Sequence, residues 1–99
     1  MMDHLTARKL EALKALASLA YEPSPSEFAQ VFWPEKHWQR INGPYGLGPD
    51  SSGLHGGRML ESLRRMDLVD HTDHKGYYTY RVSRQGWKLL EHGVVLGEG

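Results

Sequence analysis

His55, Arg58, Ser62 and Arg65 recur at spacings of three, four and three. On a helix that spacing gathers an imidazole, a hydroxyl and two guanidinium groups on one face. A guanidinium donates through a planar fork that matches the O6 and N7 acceptors of guanine or a pair of phosphate oxygens, and the other two groups add single hydrogen bonds. Lys75, Tyr77 and Arg81 form a second set of cationic and hydrogen-bonding side chains, suited to phosphate oxygens or a minor groove. The chemistry expected of both sets is recognition of an acceptor-rich polyanion. A solvated helix face carries the same residue types, so the elements that position them decide what they can do.

For the first set that element is a helix beginning between Ser52 and Gly57, with Ser51 or Ser52 as cap, and continuing through Met66. Leu60 and Leu63, with Met59 and Met66 beside them, give it a buried stripe. Gly56 and Gly57 each weaken a helix interior by about 1 kcal/mol relative to alanine. Either a bare backbone is needed there for close approach to a phosphate or a neighbouring helix, or the helix begins only at Arg58. Gly53 to Arg58 lacks the Gly-Lys-Ser/Thr ending of a phosphate-binding loop, which excludes that nucleotide site.

After Leu68-Val69, segments 70–73 and 77–82 flank His74-Lys75-Gly76, the signature of a β-hairpin with a glycine-containing turn. Alternation places Tyr78, Tyr80 and Val82 on the face that packs on the helices, and Tyr77, Thr79 and Arg81 on the other. Ser83 caps a last helix in which Trp87, Leu89 and Leu90 close the core and Gly86 permits close packing of helix on strand.

Upstream, Thr6 caps a helix whose Leu10, Leu13, Leu16, Ala17 and Ala20 recur at helical spacing, and Tyr21 to Pro25 ends it. Ser24-Pro25-Ser26-Glu27 is a capping-box signature with proline at the first helical position, so a second helix starts at Pro25. Phe28, Ala29, Val31 and Phe32 give it an apolar face, and Pro34 ends it or permits a short continuation. From about 34 to 53 turn formers dominate. So long a loop is either an ordered insertion anchored by Trp33, Trp38 and Tyr45 or a contact surface for a partner or nucleic acid. Residues 94–99 form a tail with no regular pattern.

A chain of 99 residues can bury one modest core, so residues 1–93 are expected to be a single domain. Lys plus Arg and Asp plus Glu each number 12 and cancel, which weighs against strong non-specific binding to a polyanion. The local excess lies between Gly53 and Arg84, where Arg58, Arg64, Arg65, Lys75, Arg81 and Arg84 face Glu61, Asp67, Asp70 and Asp73. There are no cysteines, no apolar run long enough for a bilayer, and no signal-peptide pattern at Met1 to His4, so a cytoplasmic protein without membrane partners is expected. His71-x-x-His74 with Asp73 has donor types suited to zinc, but neighbouring strand positions point apart and no third histidine is close in sequence. No metal, cofactor or catalytic nucleophile is expected, and no enzyme.

Three motifs carry a resemblance. Leu60-x-x-Leu63-x-x-x-x-Leu68-Val69 resembles the end of the recognition helix and the start of the wing in bacterial winged helix-turn-helix transcriptional regulators of the MarR and PadR kind. Tyr80-Arg81-Val82-Ser83-x-x-Gly86 resembles their passage from the second wing strand into the following helix, and Leu5-Thr6-Ala7-Arg8 is similar to their usual opening. The resemblance implies an α+β, mainly α fold: three core helices, a two-stranded wing hairpin and a C-terminal helix. It implies sequence-specific duplex DNA binding by a homodimer, the helix at about 54–66 in the major groove and the 70–82 hairpin as wing. The chain departs from these families at Asp67, where glycine is common, at Gly56 and Gly57, in the long 34–53 loop, and in having no evident long terminal dimerisation helix. The alternative expectation is a winged-helix protein-interaction module, a small accessory or phage-encoded factor, using Trp33, Trp38 and Tyr45.

Overall fold

Side-chain hydroxyls start three helices. In the computed structural model, which describes residues 5–34 and 52–93, the Thr6 hydroxyl accepts from the Lys9 amide and opens α1, Ala7–Ser18. Ser24 and Glu27 complete the reciprocal capping box of α2, Pro25–Phe32, and Ser83 accepts from the Gly86 amide to open α4, Arg84–His92. Such caps satisfy amide donors that no earlier helical turn can reach. α3 spans Ser52–Arg65. The strands β1, Val69–Asp73, and β2, Tyr78–Val82, form an antiparallel pair with Val69 opposite Val82 and Asp73 opposite Tyr78. The described residues are thus α+β and mainly helical, four helices and one hairpin in the order ααα-β-β-α, compatible with a winged-helix layout. None of these helices is long and apolar enough to cross a membrane.

The core lies where α1, α2, α3 and the hairpin meet. Leu13 and Leu16 of α1, Phe28 of α2, Leu60 and Leu63 of α3, and Val69, Tyr80 and Val82 of the strands form one buried cluster. Pro23 is buried as well, and its carbonyl accepts the Tyr80 amide at 2.9 Å, on the edge of β2 turned away from β1. The segment between α1 and α2 thereby covers an otherwise open strand edge. At the other end of α1, the Arg8 guanidinium lies 4.3 Å from the Phe32 ring centroid and pairs with Glu11 at 2.9 Å, tying the start of α1 to the end of α2.

α2 and α3 pack against each other through a glycine. A Cβ at Gly56 would overlap the Pro25 carbonyl and lie 3.2 Å from the Ala29 Cβ, so the bare backbone serves the neighbouring helix, and the late start at Arg58 is excluded. Gly86 plays the same part under α4: a Cβ there would overlap the Leu68 carbonyl and lie 2.7 Å from Val82 Cγ1.

α3 ends in a Schellman motif. The Asp67 amide donates to the Arg64 carbonyl at 2.9 Å, the Leu68 amide donates to the Leu63 carbonyl at 3.1 Å, and Asp67 has φ 61°. Leu68 and Leu63, the apolar pair of the motif, are both buried. The aspartate therefore occupies the left-handed position that glycine fills at low cost. The Ser83 hydroxyl donates to the Asp67 carbonyl at 2.6 Å and the Ser83 amide donates to the Leu68 carbonyl at 3.0 Å, fastening the end of α3 to the start of α4.

Four expectations are corrected. Trp87 is 47% exposed and does not close the core: with Gly86 against Leu68, the inward face of α4 runs through Gly86, Leu89 and Leu90, and Trp87 lies about 100° round from Gly86. Tyr78 is 42% exposed: it stands at the turn end of β2, and the His71 ring, 4.7 Å away between centroids, covers it only in part. Val31 is exposed on α2, leaving Phe28 and Ala29 as its buried pair. α1 stops at Ser18, so Ala20 falls outside it and is exposed. Most of the 34–53 loop, with Trp38, Tyr45 and Ser51, lies outside the described residues, as does the 94–99 tail.

Gly56→Ala is expected to destabilise the protein by about 1–3 kcal/mol, an overpacking cost set by rigid backbone, read from urea midpoints. Asp67→Gly should raise stability by about 0.5–1 kcal/mol and Asp67→Val should lower it by about 1 kcal/mol or more; equal stability of the two variants in thermal denaturation would contradict the strained position.

Candidate nucleic-acid interface

α3 is covered by α2 on one side and by β1 on another, and what remains outside is narrower than spacing alone suggests. Leu54, Arg58, Glu61 and Arg65, together with Gly53 and Gly57, line a shallow surface hollow. At 3.6 residues per turn those four side chains fall within about 60° of arc. Arg58 and Arg65 are exposed, as expected, and Arg58 makes no hydrogen bond or ion pair among the described residues. His55 lies farther round and is half-buried. Ser62 is the correction: it is 8% exposed, and its hydroxyl has no hydrogen-bond partner among the described residues. It sits on the flank where α3 joins the body of the domain, so the expected four-residue face contracts to Arg58 and Arg65, with His55 at its margin.

The turn of the hairpin projects the second set. Lys75 and Gly76 occupy the two central positions at φ 60° and 145°, and Asp73 Oδ1 accepts the Lys75 amide at 2.8 Å, an Asx-type contact that helps Lys75 hold a positive φ. His74 and Tyr77 flank the turn with rings stacked at 4.8 Å. Lys75 and Tyr77 are exposed. Arg81 is exposed too, on the outer face of β2, but it is engaged: Nη1 donates to Thr72 Oγ1 at 2.8 Å and lies 3.6 Å from Glu22 Oε1. Contact with a phosphate would compete with that pairing. Trp33 is half-buried at the C-cap of α2, 4.9 Å from the Phe32 ring.

Between helix and hairpin lies a cluster that spacing did not reveal. Glu61 Oε1 accepts from Arg64 Nε at 3.0 Å and Nη2 at 2.9 Å, and Oε2 accepts from Arg64 Nε at 2.9 Å and from the Tyr80 hydroxyl at 2.9 Å. His71 Nδ1 stands 3.6 Å from the same Oε2. The Arg64 hydrogen bonds hold the Glu61 carboxyl below its ordinary range, with the Tyr80 hydroxyl helping and burial opposing. The same contacts raise Arg64 above its ordinary value. Burial, and then the hydrogen bond to Glu61, pushes the Tyr80 phenol up to about 12. The Glu61-Arg64 pair is an (i, i+3) pair, readable in principle; the part played by Tyr80 depends on hairpin register and is not.

Among the described residues no group of three or more His, Cys, Asp or Glu side chains is arranged to hold a metal ion. No protein-family model, curated protein or solved structure matches the chain.

The raised phenol makes a pH prediction. Because the folded value exceeds the unfolded value of about 10, the stabilisation that Tyr80 brings is complete below pH 10 and is lost as pH rises towards about 12. Urea denaturation of the wild type and Tyr80→Phe across that interval should show their stabilities converging as pH rises; a constant difference would contradict the buried, Glu61-bonded phenol.

Proposed function

We propose that this chain is a winged-helix DNA-binding module, a cytoplasmic transcriptional regulator that lays α3 in the major groove of duplex DNA and sets the hairpin beside it as a wing. The observation that carries the reading is the exposed stripe of α3, with Arg58 and Arg65 seven residues, about two turns, apart along it, next to a hairpin whose turn holds up Lys75 and Tyr77. A helix with two displayed arginines can read guanine edges or grip phosphates, and a flanking cationic turn adds backbone contacts. The resemblance to MarR and PadR regulators supports the same docking and adds a homodimer with two half-sites. Gly56 belongs to helix packing and takes no part in reading bases, and Ser62 leaves the contact set.

A protein-interaction module is the second reading, favoured by one observation: Leu54, 52% exposed, stands at the N-terminal end of the same stripe, where an apolar side chain suits a protein surface. The aromatic residues Trp33, Trp38 and Tyr45 of the sequence are a second feature suited to a protein partner.

Fluorescence anisotropy with a random-sequence duplex, titrated with salt and accompanied by a mass measurement, separates the readings. DNA binding predicts a logarithmic fall of affinity with salt, and Arg58→Ala with Arg65→Ala should reduce that slope by about two while Ser62→Ala leaves it unchanged. Binding unaltered by the double substitution at every salt concentration would sink the α3 assignment. Absence of duplex binding, with capture of a protein partner that Leu54→Ala abolishes, would establish the second reading.

A further inference from the structure

Arg64 was not among the side chains that spacing selects, yet its guanidinium is held in place by Glu61 beside the exposed stripe. Its Nε and Nη2 edge lies on the Glu61 carboxylate. Its Nη1 makes no hydrogen bond among the described residues, and 40% of the side chain is exposed. A guanidinium offers two forks, and here one is fastened to the protein while the end carrying Nη1 remains available. Glu61 is itself fixed from the other side by the Tyr80 hydroxyl, and Tyr80 is a core residue of β2. The orientation of Arg64 is thereby set through Glu61 by the packed interior of the hairpin.

We propose that Arg64 is a preoriented phosphate contact at the junction of α3 and the hairpin, and that Glu61 is the positioning residue that aims it. The proposal rests on the DNA-binding reading above and deepens it. An anion reaching the junction meets a guanidinium already held in place, with little rotamer freedom left to lose on binding. A phosphate suits the free end because its oxygens can accept from Nη1 and the outer Nη2 hydrogen together.

A competing role for Glu61 predicts the opposite sign. If the carboxylate only neutralises Arg64 and repels the duplex, its removal must tighten binding. If it aims Arg64, its removal must weaken binding even though the protein becomes more positive. Anisotropy of the full-length chain with the random-sequence duplex tests this in a double-mutant cycle of Glu61→Gln and Arg64→Ala, with melting temperatures measured for each variant. Arg64→Ala is expected to weaken binding about fivefold or more and to lower the salt slope by about one. Glu61→Gln should weaken binding about threefold in the wild-type background, and in the Arg64→Ala background should leave it unchanged or tighten it. Tyr80→Phe, which keeps the ion pair and removes its third anchor, should fall between wild type and Glu61→Gln. Tighter binding by Glu61→Gln alone, equal losses in both backgrounds, or an unchanged slope in Arg64→Ala overturns the inference. If these results appear while Arg58→Ala with Arg65→Ala still weakens binding, the DNA reading stands and only the role of Arg64 falls. If the wild type binds no duplex, both fall together.

Discussion

The close approach of α3 to the first turn of α2 is the constraint on which the exposed surface depends. Gly56 meets the Pro25 carbonyl with no room for a side chain, and that single contact fixes both the separation of the helices and the rotation of α3 about its own axis. Once the Gly56 side is turned inward, Leu60 and Leu63 follow it into the core, and Leu54, Arg58, Glu61 and Arg65 are carried outward. A rotation by one residue would bury an arginine or expose a leucine, each costing several kcal/mol. A glycine unfavourable to an isolated helix therefore selects which residues can meet a partner.

The second constraint is at the other end of the same helix. Its last turn is closed by backbone hydrogen bonds through Asp67 and Leu68, and Ser83 bridges that turn to α4. Because Leu68 leads directly into β1, the direction of the hairpin is set by how α3 ends. Glu61 adds a side-chain link between the middle of α3 and Tyr80 on β2. Helix and hairpin are thus joined at the backbone and again through a carboxylate, so their exposed cations keep a fixed relation to each other. Such a link is worth most where it spares two elements from being ordered on binding.

Much of this fold was legible because it is written locally. The Thr6 cap, the Ser24 to Glu27 box, the leucine stripe of α3, the Lys75-Gly76 turn and the Ser83 cap each act within a few residues, and each stands where spacing placed it. The candidate interface was legible only in part. Ser62 and Arg65 fit one periodic face equally well, but burial depends on where β1 and α2 lie, and periodicity carries no information about that. Trp87 misled for the same reason: a large aromatic suits a core, while the contact of Gly86 with Leu68 turned it outward. The Glu61 cluster joins residues 19 positions apart, so its (i, i+3) half could be read and its half across the hairpin could not.

Zero net charge looks unfavourable for a partner of phosphates, but where the carboxylates are placed changes what that neutrality means. Glu11 faces Arg8, Glu22 lies near Arg81, Glu27 caps α2, Asp73 holds the turn, and Glu61 holds Arg64 and Tyr80. These five acids each face a cation or hold the backbone, while Asp67 and Asp70 share a hollow with Arg64 and Arg81, and beyond a Debye length of about 8 Å in physiological salt the dissolved ions largely screen all of these charges. Long-range steering towards a polyanion is accordingly weak. At contact distance the balance differs, because Arg58 has no acidic partner among the described residues and Arg64 keeps one end free while its other end is held. A domain built this way would depend on a few well-placed donors, not on its overall field, and would discriminate by fit at close range more than by speed of encounter.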